Sequence, residues 1–271
     1  MTKHTHLVVG AGKMGGALLE GWIASKVIAP KNLIILDPNP GDAAQKAIDA
    51  GALHLTMPDK NLKTIKYLLL AIKPQMFAKL GPSIAKQLPK DALVISILAG
   101  TSLSGLQDVF AEQSLIRAMP NTPAAIGKGI TAYTKGPNVS EEQTKMTERL
   151  LEAGGKVYQV ANENLIDVVT AVSGSGPAYV FHMVEALEAA ALKIGLPEDM
   201  APDFARQTII GAAGLLESSE LTASQLRQNV TSPNGTTQAA LDVFMGLEGL
   251  PTLMRETVKA AFKRAKDLAD S

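Results

Sequence analysis

From residue 6 to about 160, short and nearly all-apolar runs alternate with amphipathic stretches of helical periodicity. The runs are His6–Val9, Leu33–Leu36, Tyr67–Ala71, Leu93–Ile97, Leu115–Arg117, Ile130–Tyr133 and Val157–Val160. Strands covered on both faces read this way, since neither set of alternating side chains meets water. With helices as crossovers, the pattern predicts a doubly wound α/β domain on a parallel sheet. Beyond about residue 163 the strand pattern stops, and helices are predicted over about 164–172, 178–194, 198–217, 222–229, 236–246 and 251–269. Ala186, Ala189, Ala190, Gly211 and Ala212 supply small apolar faces for close packing. The chain is accordingly divided into a Rossmann-type domain, 1–162, and an all-helical domain, 163–271. The second is too elongated in pattern to look self-contained, which predicts pairing with another copy.

Composition narrows the field. At 271 residues, 46% apolar and 19% charged, the chain is long and apolar enough to bury a sizeable core. Lys plus Arg equals Asp plus Glu at 26 each, so no overall field favours nucleic acid or an anionic membrane. No cysteine is present, which excludes disulfides and thiolate chemistry. No two histidines stand four apart on a helix, so no histidine metal site is expected. The N-terminus lacks the order of a secretory signal, and no apolar run approaches the ~18 residues that cross a bilayer. A cytoplasmic protein is the expectation.

The first strand runs into Gly10-Ala11-Gly12-Lys13-Met14-Gly15, a G-x-G-x-x-G element that opens a helix to about Ser25. The first glycine allows the tight turn, the second lets the backbone approach a pyrophosphate, and the third packs helix on strand. Strand, loop, helix and second strand together predict a bound dinucleotide, NADPH or NADH. Asp37 ends the second strand and is followed by Pro38, Asn39 and Pro40. Its carboxylate can accept the adenosine ribose hydroxyls and repel a 2′-phosphate, or Asp37 can be a turn former before proline. No arginine occurs between Gly12 and Gly100, which leaves Lys31 or Asn39 to meet a 2′-phosphate. Ala71-Ile72-Lys73-Pro74 falls at a C-terminal strand edge, where such sheets bind ligands. Lys73 there is either a coenzyme contact or a solvated loop lysine.

Several segments, in order along nearly the whole chain, resemble pyrroline-5-carboxylate reductases. They are the glycine loop with Met14, Ala71 to Pro74, Arg117-Ala118-Met119-Pro120-Asn121-Thr122-Pro123, Val172-Ser173-Gly174-Ser175-Gly176-Pro177-Ala178-Tyr179, and Val230-Thr231-Ser232-Pro233-Asn234-Gly235-Thr236-Thr237. The last two are the specific ones. The resemblance implies a Rossmann domain joined to a helical domain that interlocks with a partner subunit, and reduction of 1-pyrroline-5-carboxylate to L-proline. It implies a homodimer, with a larger ring of dimers as the further option, and a nicotinamide pocket lined by Met119, Pro120 and Asn121. Asp37 departs from the more neutral residues often seen at its position in these enzymes.

A protonated cyclic imine is already electrophilic, so its reduction needs orientation more than acid–base machinery. Between Lys156 and Lys193 there is neither lysine nor arginine. A dehydrogenase for a small 3-hydroxy acid would need a general base on the long helix after the glycine turn, where Val180, Phe181, His182 and Met183 stand instead. A non-catalytic dinucleotide sensor is the alternative from another class, and it would not need a second, carboxylate-binding turn. Ser232, Gly235, Thr236 and Thr237 lead into a helix whose free amides can seat a carboxylate, or they form an ordinary helix cap. Gly174 and Gly176 can admit the nicotinamide or a packed helix. The resemblance favours a pocket wall, with Ser175 on the substrate side and Thr170 offering its hydroxyl to the imine nitrogen or to its proton-donating water. Without it, Thr170 is a helix threonine bonded one turn back. His182 and Tyr179 are read as packing or interface residues.

Overall fold

In the computed structural model, which describes residues 4–269, eight strands form one sheet. They are β1 (His6–Val9), β2 (Leu33–Leu36), β3 (Leu53–Leu55), β4 (Tyr67–Leu70), β5 (Leu93–Ser96), β6 (Ser114–Met119), β7 (Gly129–Lys135) and β8 (Gly155–Gln159). The spatial order is β3-β2-β1-β4-β5-β6-β7-β8, so the winding reverses between β1 and β4. That reversal opens the crevice where doubly wound sheets bind their ligands. Every residue of β2, β4 and β5 is buried, as the uninterrupted apolar runs require.

Two features depart from the sequence reading. Leu53–Leu55 is a short edge strand paired with β2, too brief to stand out as an apolar run. The sheet is also not wholly parallel, because β7 runs antiparallel to β6, with Met119 opposite Ala132. Only residues 120–128 join these two strands, and a parallel crossover needs a dozen or more. The short link, with its 3-10 turn at Thr122–Ile126, forces the chain back on itself.

Helices α1 (Lys13–Ala24), α2 (Asp42–Asp49), α3 (Pro74–Ala85), α4 (Leu103–Gln107) and α5 (Glu141–Glu152) connect the strands. Leu18, Leu19 and Trp22 of α1 are buried in the cluster with Val8, Ile35 and Leu69. The Trp22 indole N–H donates to the Leu150 carbonyl at 2.6 Å, tying α1 to α5 and fixing the helix that the glycine loop opens. Helix α5 starts on a capping box formed by Ser140 and Gln143.

After β8, α6 (Asn164–Val169) is followed by a wide π-helical turn, Thr170–Gly174. Next come α7 (Gly176–Lys193), α8 (Ala201–Ser218), α9 (Ala223–Asn229), α10 (Thr236–Phe244) and α11 (Leu250–Ala269). Contacts divide the chain into one compact unit that runs to Ser175 and resumes at Ala261, and a second, Gly176–Ala260. Helix α6 therefore groups with the sheet, where Ile166 packs into a cluster with Met119 and Ala132. The end of α11 also belongs to the first unit, with Leu268 so close to Gly100 that a methyl group there would lie 2.9 Å from its Cβ. In the second unit no side chain of α7 is buried. Phe181, Phe204, Ile210 and Leu215 are 63%, 57%, 55% and 61% exposed. So much large apolar surface left by one copy is the mark of an association surface. Among the described residues no helix is long and apolar enough to cross a membrane.

Candidate active site

The glycine loop stands at the β1 side of the crevice. Gly10 has φ +85°, and a Cβ there would lie 2.7 Å from the Ala71 carbonyl oxygen. Gly10 N–H donates to Leu36 O at 3.0 Å and Ala71 N–H to Val9 O at 2.8 Å, so Ala71 is locked directly beside the loop. Gly12 differs: a Cβ there meets nothing within 4 Å, and the residue is the exposed N-cap of α1 with no side-chain cap. The first glycine is thus demanded by the fold, while the second leaves open space in front of free helix amides, as a pyrophosphate needs. Lys13 is exposed at the first helical position and Met14 is half-buried behind it. Lys73 and Pro74 are exposed at the start of α3, across the β1/β4 reversal.

Asp37 forms the turn that its place before proline suggests. Its Oδ1 accepts from Asn39 N–H at 2.9 Å, closing the turn, and its Oδ2 accepts from Ala11 N–H at 2.8 Å, joining the turn to the glycine loop. His54 Nε2 donates to the Asp37 carbonyl at 2.8 Å and holds the strand end from the β3 side. Each carboxylate oxygen keeps lone pairs for further donors. A groove of about 480 Å³ beside this turn is lined by Gly12, Lys13, Glu20, Asn39, Asp42 and Lys46, among others. Lys46 pairs with Glu20 at 3.0 Å. The groove corrects one expectation. Lys31 precedes β2 and so stands at the opposite edge of the sheet, while Lys46, one turn into α2, reaches the groove along with Lys13 of the glycine loop. Only the placement of α2 against α1 could show this.

Further along the same edge, β6 ends at Met119, which is 7% exposed. The Asn121 side chain is buried and accepts from Ile130 N–H at 2.9 Å, so it holds the reversal into β7. The glycine turn of Val172 to Pro177 is helical, not a break between helices. The chain passes from α6 to α7 through the wide turn, in which Ser175 N–H donates to Thr170 O at 2.8 Å, five residues back. Such widened turns inside helices recur at functional sites. A methyl group on Gly174 would lie 3.5 Å from Thr170 Cγ2 and 3.8 Å from Met119 Sδ, so the turn and the strand end are neighbours. The Thr170 hydroxyl donates to Ile166 O at 2.7 Å. Ser173 Oγ donates to Val169 O at 3.1 Å, and Ser175 is half-buried.

Below this turn is a charge cluster not singled out from the sequence. Arg117, 2% exposed, donates to Glu163 Oε1 and to Asp167 Oδ1, each at 2.8 Å. Residues 46 and 50 positions away supply the partners, a pairing that no local pattern announces. A lone arginine in an apolar strand was the available signal, since a buried charge requires partners.

In the second unit, Asn234 has φ +60° and Gly235 is the N-cap of α10, with no side-chain cap. Ser232 and Thr236 are exposed and Thr237 is half-buried. The ordinary cap is therefore not made, and the first amides of α10 remain beside three hydroxyls. His182 is exposed on α7 and bonds Glu185 on its own helix at 2.8 Å.

A doubly wound sheet with a glycine loop, an acidic residue ending β2 and open helix amides defines a dinucleotide-dependent oxidoreductase. The family model described as "NADP oxidoreductase coenzyme F420-dependent" matches residues 7–100, and "Pyrroline-5-carboxylate reductase dimerisation" matches residues 163–268. A pyrroline-5-carboxylate reductase of Synechocystis sp. is 39% identical, covering 96% of this chain and 97% of its own. One from Pseudomonas aeruginosa is 35% identical, covering 97% and 96%. Among solved structures, a pyrroline-5-carboxylate reductase from Coxiella burnetii has TM-score 0.89 and 30% identity, covering 99% of this chain and 100% of that one. The Plasmodium falciparum enzyme with NADP bound has TM-score 0.84 and 26% identity, covering 99% of both. The chain belongs to the pyrroline-5-carboxylate reductase family.

Proposed function

We infer that this protein reduces 1-pyrroline-5-carboxylate to L-proline with NADPH or NADH, the last step of proline biosynthesis. What carries the reading is a match to a pyrroline-5-carboxylate reductase over 96% of this chain, on a fold whose glycine loop leaves room for a pyrophosphate. In this reading residues 1–162 hold the coenzyme, and 163–271 supply substrate contacts and the dimer interface.

When bound, the coenzyme supplies the hydride that the imine carbon receives. Gly10, Gly12, Lys13 and Met14 take its pyrophosphate, Asp37 and Asn39 its adenosine ribose, and Ala71, Lys73 and Pro74 the stretch across the crevice. Met119, Pro120 and Asn121 border the nicotinamide. Ser232, Gly235, Thr236 and Thr237 seat the substrate carboxylate with amide and hydroxyl donors, and Ser175 faces the ring. Thr170 has its own proton engaged by Ile166 O, so its oxygen is left to accept. That suits a protonated imine, whose N–H is the donor, and it holds the proton on nitrogen while the carbon accepts hydride.

The working form is a cytoplasmic homodimer through the helical region, with dimers closing further into a ring; light scattering of the purified protein reads the number of subunits, and a mass of two subunits would exclude the ring. The function is tested by following coenzyme absorbance with pyrroline-5-carboxylate, separately for NADH and NADPH. Rapid oxidation of either supports the reading, and binding of both without consumption would overturn it.

A further inference from the structure

Arg117 takes no direct part in the chemistry described above, yet its surroundings are unusual. Its side chain is almost wholly buried, two residues before Met119, and its Nε is buried with no partner. Its two terminal nitrogens each grip a different carboxylate, Glu163 and Asp167, at 2.8 Å. Asp167, 7% exposed, stands on α6 one turn before Thr170. Glu163 Oε1 also accepts from Leu103 N–H at 2.7 Å, so the cluster reaches the start of α4 beyond β5. One guanidinium thus ties together the end of β6, α6 and α4. Burying it with one nitrogen unsatisfied is costly, and hydrophobic packing of α6 alone would avoid that cost.

We propose that Arg117 is a positioning residue that sets the height of the Thr170 turn against Met119 through Asp167. Thr170 is tied to α6 by the bond from its hydroxyl to Ile166 O, and the wide turn after it replaces the regular helical bond at Ser175, so where Thr170 Oγ1 stands along the strand edge is set by where α6 lies. The planar fork of Arg117 fixes α6 at two points, which sets both height and rotation. A lysine in its place keeps the charge but grips one point only. The inference rests on the reading that Met119 and Thr170 border the reacting groups.

The test compares Arg117→Lys, Asp167→Asn and the double variant in the full-length protein. The readouts are kcat and KM for pyrroline-5-carboxylate, coenzyme Kd by NADH fluorescence, and Tm. Both single variants are expected to lower kcat about tenfold or more while coenzyme Kd stays within about twofold. The double variant should lose little beyond either single one, because all three cut the same contact. Should the buried substitutions prevent folding, Glu163→Gln at the 30%-exposed rim keeps an oxygen for Arg117 and Leu103 and should show a smaller fall in kcat of the same kind. Folded variants with lowered Tm and unchanged kcat would make the cluster a structural clamp and overturn the proposal, as would a fall in kcat matched by lost coenzyme affinity. Turnover by the unaltered protein is the separate control on the function itself.

Discussion

Gly10→Ala and Gly12→Ala, two residues apart in one loop, should fail in opposite ways. At Gly12 the backbone is at φ −71°, accessible to alanine, and a Cβ meets nothing within 4 Å. Replacing glycine there removes unfolded-chain freedom, a gain of about 0.4–1 kcal/mol, and replaces an acceptable N-cap by a poor one, a loss of about the same size. The net is near zero. At Gly10 alanine must hold φ +85°, at about 1–2 kcal/mol, and its Cβ would lie 2.7 Å from Ala71 O and 2.9 Å from Ile72 Cγ2, so backbone must shift. A total of about 3 kcal/mol is expected there, or roughly 6–12 °C of Tm for a chain of this size. Thermal melts and NADH titration followed by fluorescence read both quantities. Gly12→Ala should melt within about 3 °C of the unaltered protein and bind coenzyme at least tenfold more weakly, since its methyl group occupies the space where phosphate approaches. Normal coenzyme affinity in Gly12→Ala would refute the assignment of that space. Equal melting of the two variants would refute the distinction between a glycine needed by the fold and one needed by the ligand.

Asp37→Ala should shift preference towards NADPH, measured as the ratio of kcat/KM for the two coenzymes; an unchanged ratio would leave Asp37 as a brace between Ala11 and Asn39. Thr170→Ala should lower kcat by about 10- to 100-fold, the worth of one hydrogen bond to a charged group, with coenzyme Kd unaffected. Thr237→Ala should raise KM for pyrroline-5-carboxylate by about tenfold, and weakened coenzyme binding instead would remove it from the substrate side. Burial lowers the His6 pKa from 6.5 to about 4, so the native ring stays neutral where the unfolded chain takes up a proton. Stability should therefore fall as pH drops from 6.5 to 4, and His6→Phe, which can still stack on Tyr67, should flatten that part of a denaturation profile; an equally steep profile would refute the role.

The all-buried strands announced themselves because a strand covered on both faces leaves no polar position, and β1 and β2 fall where the runs His6–Val9 and Leu33–Leu36 stand. The glycine loop was equally legible, since its chemistry is local. What stayed hidden depends on distance along the chain. The direction of β7 follows from the length of a link and not from any side chain. The widened turn straddles the predicted end of a helix at about 172, and Ser173 and Gly174 look like the break after it, because no residue type marks an i to i+5 bond. Arg117 was visible only as part of a motif, while its partners are set by how α6 lies on the sheet.

The contact between Leu268 and Gly100 bears on how the chain is made. Ribosomes deliver the strands of the sheet first, and domains generally fold as they emerge. Here a loop written at residue 100 is met by the side chain of Leu268, which is synthesised only after the whole second unit. The nucleotide-binding unit is thus finished only after the whole of the second unit has been made and the end of α11 has left the exit tunnel. A chain stalled before residue 268 would carry a complete sheet with one seam still open to the chaperones and proteases that survey nascent proteins.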